Sequence, residues 1–539
     1  MIKEHINRQV IITALILIVI SIPMIWFRDL GAHHEISYLA IASDAMHDGR
    51  FFTFFREGQH PFTEIPPLYM WLSMLDYALE GARGNLLLAV NAVSAACCIV
   101  ILDTTFSSLL QKNMRGRAAF CMLSMPFLFF SIYIVSPIVP GMMFALISMS
   151  FLTYRVHIFS ENSDIECKRG NIAVPLFTFL AFYTSGAAPV LIELILVMFM
   201  LLVKKKASIY FRIFTIRYIL ILLGVYLLNL VLVWYEGRWL FVSANLNTVA
   251  EQIFGGVFEG HTIFYYLFSF WYLSLPLGFC AIYAFIRTLI KERAEMHTKV
   301  QFAILLPLTA IFVSYISSYR SEYILIYAVV TLPFLFVYYI QKQGARDRII
   351  KWLLLLGIVP FIFLFAVSFF VRSEYVILQN VFVVSALLFV ALFSALAIFK
   401  VINASPIDGL SVFASSILIM SFLLGFAMMD INPYISPMKA IKTTLALSNK
   451  EKVDKICVSG VNDSWAMKVF NPEVDFMQVS PALINSEHCD SSYRIVGRKT
   501  LRNHPEFMEL LKYKGTLQIG DSLLLPPGNL KKLPLKNKK

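Results

Sequence analysis

The sequence has few charged residues for its length. Only 15% of its 539 residues are Asp, Glu, Lys or Arg, whereas 58% are apolar. A soluble domain carries about 25% charged residues, so most of this surface is not suited to water. The sequence also contains no Walker loop, no dinucleotide fingerprint and no zinc-ligand spacing. These absences argue against the common soluble enzyme classes and indicate a membrane protein.

Cysteine is scarce, and the seven cysteines form no spaced metal motif. Four of them lie in apolar stretches and are expected in the core: Cys97, Cys98, Cys121 and Cys280. Cys457 and Cys489 are the only two in the C-terminal part. A disulfide between them would suit an oxidising compartment, and two buried thiols would fit the sequence equally well.

The net charge of +12 does not predict nucleic-acid binding. The basic residues lie in short clusters between apolar runs, as the topology of a membrane protein requires. Nucleic acid is therefore not an expected partner.

Apolar runs of about 20 residues predict about thirteen spanning helices, and the short pairs around Pro137 and Gly186 also allow a count that differs by one or two. They lie near 8–27, 86–111, 118–134, 141–156, 171–184, 188–203, 218–235, 263–289, 300–318, 322–341, 351–371, 377–400 and 409–429. The first run is longer than the apolar region of a signal peptide and lacks a cleavage site, so we expect it to be retained.

The loops rich in Lys and Arg predict the orientation of the chain. These loops fall at 112–117, 155–169, 204–217, 291–299 and 342–348, and such loops are usually cytoplasmic. The N-terminus is then cytoplasmic, and an odd number of spans places the C-terminal part outside. We expect a multi-pass protein of a bacterial inner membrane, with a membrane domain at 1–430 and an extracytoplasmic domain at 431–539.

Two outer segments have secondary structure of their own. In the first loop, 28–85, residues 36–48 and the stretch after Pro66-Pro67 predict two amphipathic helices on the outer leaflet. In the C-terminal part, β-like runs at 455–461, 474–479, 493–498 and 516–525, with a helix near 505–513, predict a small α/β domain. A Lys-rich tail follows from Lys531.

Polar side chains concentrate in the segments predicted to lie outside. They include His33, His34, Glu35, Asp44, Asp48, His60, Glu64, Glu259, His261, Arg320 and Glu322. Carboxylates and imidazoles beside a bilayer suit proton transfer at a lipid headgroup.

The order of several short motifs resembles the GT-C membrane glycosyltransferases, most of all the lipid A aminoarabinose transferases and the protein O-mannosyltransferase-like enzymes. The motifs are His34-Glu35, Met46-His47-Asp48-Gly49, Pro66-Pro67-Leu68-Tyr69 with Trp71, Gly186 with Pro189, Gly260-His261, and Ser317-Ser318-Tyr319-Arg320 with Tyr323 and Pro333. The resemblance covers about residues 1–430. It implies an all-α membrane bundle, a polyprenyl-phosphate sugar donor, and a lipid or glycan acceptor in the cell envelope.

The chain departs from the family at positions that hold acids and lysines. His34 stands in place of the first acidic residue, the expected base or metal-binding Asp, and the second Asp falls near Gly141. Ile65, Ser185 and Thr262 stand in place of lysines that would hold the donor phosphate. Either this branch uses other groups, or the protein has lost transfer activity.

The resemblance implies roles for the residues that remain. Glu35 is the candidate base that activates the acceptor, with His34 assisting, although a carboxylate there could simply favour the helix start. Arg320 is the candidate for the donor phosphate. The other candidate substrate-binding residues are Glu64, Tyr69, His261 and Tyr323. Metal ligands are unknown, and a divalent metal is the one cofactor left open.

Two further functions stay open: a catalytically degenerate relative that binds lipid-linked sugars, and a transporter of such lipids. Glu193 also falls inside a predicted span. A carboxyl within the membrane indicates either a functional group or a structural pair with a neighbouring helix.

Overall fold

The computed structural model describes most of the membrane part and shorter stretches of the C-terminal part. The described residues are 7–31, 34–56, 60–81, 83–161, 172–255, 262–292, 297–317, 321–343, 347–371, 376–436, 438, 442–443, 446, 455–460, 469, 474–481, 484, 489, 492–512, 516–519 and 522–527.

Helices joined by short connections build the membrane part. In chain order they are α1 Arg8–Phe27, α2 His34–His47, α3 Pro67–Glu80, α4 Asn85–Phe106, α5 Lys112–Met122, α6 Pro126–Phe130, α7 Ile138–Glu161, α8 Ala173–Ser185, α9 Ala188–Val203, α10 Tyr210–Ile213, α11 Ile216–Phe254, α12 Ile263–Leu273, α13 Gly278–Glu292, α14 Thr298–Ile316, α15 Ser321–Ile324, α16 Ile326–Val329, α17 Leu332–Gln343, α18 Arg348–Phe370, α19 Val381–Asn403 and α20 Pro406–Ile435. A two-stranded ribbon, β1 Phe55–Arg56 and β2 His60–Pro61, lies between α2 and α3.

The predicted spans agree with these helices. Among the described residues, eight helices are long and apolar enough to cross a membrane, and two strongly bent pairs, α5 with α6 and α12 with α13, bring the number to ten. Three shorter apolar helices match the remaining predicted spans. The chain is therefore a multi-pass membrane protein of the expected all-α class, while the number thirteen stays a prediction.

Helix α11 is longer than the sequence pattern predicts. We expected a span at 218–235 and then an outer segment, but helical structure continues to Phe254 after a break at Arg238 (φ 57°, ψ −160°). The second half of α11, 239–254, exposes Trp239 and Leu240 and buries Phe241 and Val242. It is an amphipathic helix that we did not predict.

The chain forms two compact units. The first comprises 1–25, 63–69 and 88–425, and the second comprises 26–62, 70–87 and 426–539. The first loop thus contributes to both units. The predicted boundary at 430 stays a prediction.

An ion pair closes the connection between α4 and α5 in the first unit. Arg115 donates from Nε to Asp103 Oδ1 (2.8 Å) and from Nη2 to Asp103 Oδ2 (2.5 Å), and both side chains are buried. Removal of either partner would leave an uncompensated buried charge and would destabilise the fold.

The two first-loop helices have different surroundings. Residues 35–43 of α2 are all buried, so protein covers that helix. In α3, Leu75 and Leu79 are exposed while Ser73 and Asp76 are buried, which suits a helix that turns its apolar stripe to lipid. Trp71 Nε1 donates to the Phe51 carbonyl (2.6 Å) and fixes α3 to the segment after α2.

Asp76 connects α3 to the start of α4. Its Oδ1 accepts the Leu86 N–H at 2.7 Å, one of the free donors at a helix start. Burial raises the pKa of Asp76 to about 6, and the Glu80 carboxylate one turn away acts in the same direction. Its Oδ2 has no hydrogen-bond partner within the described part of the chain.

The C-terminal part contains a five-stranded mixed sheet. The strands are β3 Lys455–Ser459, β4 Asp475–Gln478, β5 Tyr493–Val496, β6 Leu517–Ile519 and β7 Ser522–Leu525, in the order β4-β3-β5-β7-β6. The strands β4, β3 and β5 are parallel, and β5, β7 and β6 are antiparallel. A helix, α21 Arg498–Asn503, and a 3-10 helix, Pro505–Lys512, follow β5. The first three predicted strands are present, and the fourth run is a hairpin.

A disulfide joins Cys457 in β3 to Cys489 (Cα–Cα distance 6.0 Å). Both cysteines are fully buried, and Arg494 Nε donates to the Cys489 carbonyl at 2.9 Å. The pairing that the sequence left open is thus resolved in favour of the disulfide, and it closes a separation of 32 residues.

We expect Cys457→Ser to destabilise this sheet by about 3 kcal/mol, because a disulfide restricts the unfolded chain. Limited proteolysis of the purified protein should show faster cleavage within 455–527. In the unfolded wild-type protein, a thiol reagent should label Cys457 and Cys489 only after reduction. Labelling of both without reductant would contradict the assignment.

Asp76 should make stability depend on pH. Its folded-state pKa is raised, so the folded protein binds this proton more tightly than the unfolded chain does. Stability should therefore fall as pH rises from about 4 to about 6 and then level off. Thermal unfolding in detergent should show this slope in wild type and not in Asp76→Asn. The control Glu80→Gln should keep most of it, because burial is the larger cause of the raised pKa, and an unchanged slope in Asp76→Asn would contradict the assignment.

Candidate functional site

In the second unit, the turn after α1 holds the carboxylate of Glu35. Arg28 Nη2 donates to Glu35 Oε1 (2.9 Å) and Oε2 (2.7 Å), and the Gly31 N–H donates to Oε2 (2.5 Å). Glu35 is only 6% exposed. The predicted base is therefore a buried, ion-paired carboxylate of fixed orientation.

The local sequence explains this arrangement. Glu35 occupies the first turn of α2, where the helix dipole favours negative charge. A Cβ atom at position 31 would lie 2.8 Å from Glu35 Oε2, so the close approach of the backbone requires Gly31. Both interpretations offered by the sequence, a helix-start carboxylate and a reactive group, remain compatible with this geometry.

The end of α20 and the residues after it hold the same turn. Asn432 donates from Nδ2 to the Phe27 carbonyl (2.6 Å) and accepts the Asp29 N–H on Oδ1 (3.1 Å). Ser436 donates to the Leu30 carbonyl, and Lys442 pairs with Asp29 (3.2 Å). The turn after α1, and with it Glu35, is thus positioned by residues that are far away in the sequence.

Arg28 is a functional candidate that the sequence analysis missed. Its Nη1 is buried and has no hydrogen-bond partner among the described residues. A guanidinium with one nitrogen on a carboxylate and another unused can bind an oxyanion such as phosphate. In the sequence, Arg28 is a single basic residue directly after an apolar run. This position is typical of an arginine at the membrane interface, so nothing in the sequence indicated a further role.

Two acidic residues near the end of α2 are paired with one arginine. Arg50 contacts Asp44 (3.1 Å) and Asp48, and its guanidinium lies over the Phe55 ring at 4.4 Å. Groups of three side chains suited to a metal are absent from the described residues. This part of the chain therefore offers no ligand set for the divalent metal that the resemblance left open.

In the first unit, Gln252 on the second half of α11 joins three segments. Its Oε1 accepts the Ala187 N–H (2.9 Å), and its Nε2 approaches the Glu64 carbonyl at 3.5 Å. Gly186 has φ +90°, and a Cβ atom there would lie 2.5 Å from Gln252 Oε1. One turn earlier, Thr248 contacts Thr63 through their hydroxyls (2.6 Å). The buried or half-buried positions 241, 245, 248 and 252 repeat at helical spacing, but three of these residues are polar, so the sequence carries no apolar periodicity that predicts this helix.

A small cavity of about 30 Å³ adjoins Gln252. Its polar lining comprises Ser185, Gln252, Ser317 and Tyr327, between Pro137 and Pro189. The hydroxyl of Ser317 is buried and has no hydrogen-bond partner in the part of the chain that the structure describes, and the hydroxyl of Tyr327 is buried beside Ser185. The cavity has room for about one or two water molecules or sugar hydroxyls.

Two positions at which the sequence differs from the family pattern that it resembles contact each other. A Cβ atom at Gly141 would lie 2.1 Å from Ser185 Oγ and 2.6 Å from its Cβ. Helices α7 and α8 therefore pack too closely here for a larger residue at position 141. Gly141, near which the resemblance places an Asp, and Ser185, which stands in place of a Lys, therefore fit each other.

The other predicted site residues fall as follows. Glu64, buried Tyr69 and half-buried Tyr323 lie in the first unit, and Glu35 lies in the second. His34 is the first residue of α2. Arg320 and His261 lie outside the described residues. The site assignment as a whole stays a prediction.

A larger cavity of about 610 Å³ lies between α12, α13, α14 and α17 in the first unit. Apolar side chains line it, among them Phe264, Trp271, Phe285, Pro307 and Leu335. A surface of this kind suits a hydrocarbon chain.

The fold matches two crystal structures of ArnT from Cupriavidus metallidurans. The structure bound to undecaprenyl phosphate gives a TM-score of 0.67 at 13% identity and covers 96% of each chain. The apo structure gives 0.66 at 13% identity and covers 96% of this chain and 97% of ArnT. No family model and no curated protein sequence matches. The GT-C-type fold expected from the motifs is thereby confirmed.

Breaking the Arg28–Glu35 pair should destabilise the second unit. Arg28→Ala leaves a buried carboxylate without its cation, which costs about 3 kcal/mol. The double variant Arg28→Ala/Glu35→Ala should be more stable than Arg28→Ala alone. Thermal unfolding of both single variants and the double variant gives the coupling energy, and strictly additive effects would show that the pair is not coupled.

Proposed function

We propose that this chain is a membrane glycosyltransferase that transfers a sugar from a polyprenyl-phosphate donor to a lipid or glycan of the cell envelope. The observation that carries the proposal is the fold shared with ArnT, which was solved with undecaprenyl phosphate, over nearly the full length of both chains. The motif order in the first loop supports the same conclusion.

The proposed reaction is an inverting displacement at the anomeric carbon. The acceptor oxygen forms a bond to this carbon while the bond to the donor phosphate breaks, and polyprenyl phosphate leaves with the electron pair. Glu35 takes the acceptor proton. Arg28 Nη1 stabilises the charge on the leaving phosphate, because this nitrogen is not used by Glu35.

For the first unit we propose a separate role, the binding of hydrocarbon. In this proposal the apolar cavity beside α12 accommodates part of the polyprenyl chain, because its lining is hydrocarbon. Arg320, His261, Glu64, Tyr69 and Tyr323 remain the proposed substrate-binding residues.

We place the reaction at the outer face of a bacterial inner membrane, with the N-terminus in the cytoplasm. The Cys457–Cys489 disulfide supports this orientation, because such bonds persist in oxidising compartments. The same orientation follows from the basic loops.

A second candidate is a degenerate relative that binds lipid-linked sugar without transferring it. The contact of Gly141 with Ser185 favours it, since a carboxylate or a lysine at these positions would not fit the present packing. Ile65 is also buried, where the family pattern has a lysine.

An assay of purified protein in liposomes with polyprenyl-phosphate sugars tests both candidates. If the enzyme proposal holds, Glu35→Gln should lower turnover by about 100- to 10,000-fold, as expected for loss of a catalytic base, with donor binding retained. Glu509→Gln, an exposed carboxylate in the same unit, should leave turnover unchanged.

The remaining outcomes separate the alternatives. Donor binding without turnover in wild type would support the degenerate binder. Movement of intact lipid-linked sugar between leaflets, without transfer, would support a transporter.

A further inference from the structure

The carboxyl of Glu193 lies fully buried among three membrane helices. From α9 its Oε2 contacts Thr178 Oγ1 on α8 (2.6 Å) and Ser148 Oγ on α7 (2.9 Å). The two hydroxyls also contact each other at 2.9 Å. Three oxygens from three helices thus form a closed triangle with hydrogen-bond distances on every side.

The protons available do not suffice for an ionised carboxylate. Each side of the triangle needs one proton, but Ser148 and Thr178 carry only one each. If Glu193 were ionised and accepted both, the Ser148–Thr178 contact would bring two oxygens together without a proton between them. A proton on Glu193 Oε2 completes the ring, because each of the three groups then donates once and accepts once.

The residues around Glu193 provide no cation that would stabilise an ionised carboxylate among the described residues. It has no ion pair among the described residues, and its Oε1 has no hydrogen-bond partner there. The phenol of Tyr218 on α11 faces Thr178 at 3.4 Å, and Tyr327 is buried on α16. Arg155 on α7 donates to the Ile213 carbonyl, and Lys204, directly after α9, donates to Ser160 and Thr298. An ionised carboxylate at this position would be buried without a counter-charge, which is strongly unfavourable.

We propose that Glu193, Ser148 and Thr178 form an intramembrane proton-binding site that holds one proton at neutral pH. When hydroxide removes this proton, water forms, one side of the ring loses its hydrogen bond, and α8 and α9 share a buried charge. Proton binding therefore stabilises the packing of α7, α8 and α9. The site is separate from the proposed transfer reaction and stands or falls independently of it.

Infrared spectroscopy of the protein in liposomes at neutral pH tests this site. Wild type should show the carbonyl stretch of a protonated carboxylic acid, and Glu193→Gln should lose that band. Glu251→Gln, an exposed carboxylate on α11, should keep it. Thr178→Val removes one hydroxyl of the ring but keeps the acid, so it should shift the band without removing it.

Two results would overturn the proposal. One is that the wild-type and Glu193→Gln spectra agree in this region. The other is that sodium chloride, at constant pH, removes the band and raises the unfolding temperature of wild type but not of Glu193→Gln, which would assign the site to Na⁺. If Glu193→Gln does not fold, an unshifted band in Thr178→Val overturns the proposal in its place.

Discussion

The absence of water inside a membrane governs where this chain can place polar groups. A buried donor, acceptor or charge must find its partner within the protein, because the lipid offers none. The Asp103–Arg115 pair, the Glu193 ring and the hold of Gln252 on the Ala187 N–H all meet this requirement. In the candidate site the same requirement applies to Glu35, whose charge is buried beside Arg28.

Much of the architecture was predictable because its signals are local. A run of apolar residues predicts a span without knowledge of its neighbours. Among the described residues, eight helices are long and apolar enough to cross a membrane, while two other predicted spans are strongly bent helix pairs and three are shorter apolar helices. Gly49 and Gly81, which follow the first-loop helices, have positive φ values, a conformation that glycine adopts readily at helix ends. The parallel strands β3, β4 and β5 also coincide with β-like runs.

The candidate site was only partly predictable because its contacts are not local. Glu35 could be named from a motif, but the role of Arg28 depends on a turn that Asn432 and Ser436 hold in place. Gln252 was missed because the span at 218–235 was expected to lead into an outer segment, whereas helical structure continues to Phe254. The fit of Gly141 against Ser185 needs three-dimensional packing, and two separate substitutions in the sequence cannot reveal it.

The hold of Asn432 and Ser436 on the turn at 27–30 also bears on biosynthesis. The partners are separated by about 400 residues, and the chain emerges from the ribosome N-terminus first. Arg28 and Glu35 are synthesised directly after the first helix. The contacts of Asn432 and Ser436 with their turn cannot form until the last helix, α20, has been translated. A nascent chain or a truncated product that stops before α20 ends would carry the entire first loop and still lack a finished turn. The site closest to the start of the gene is thus among the last to be completed.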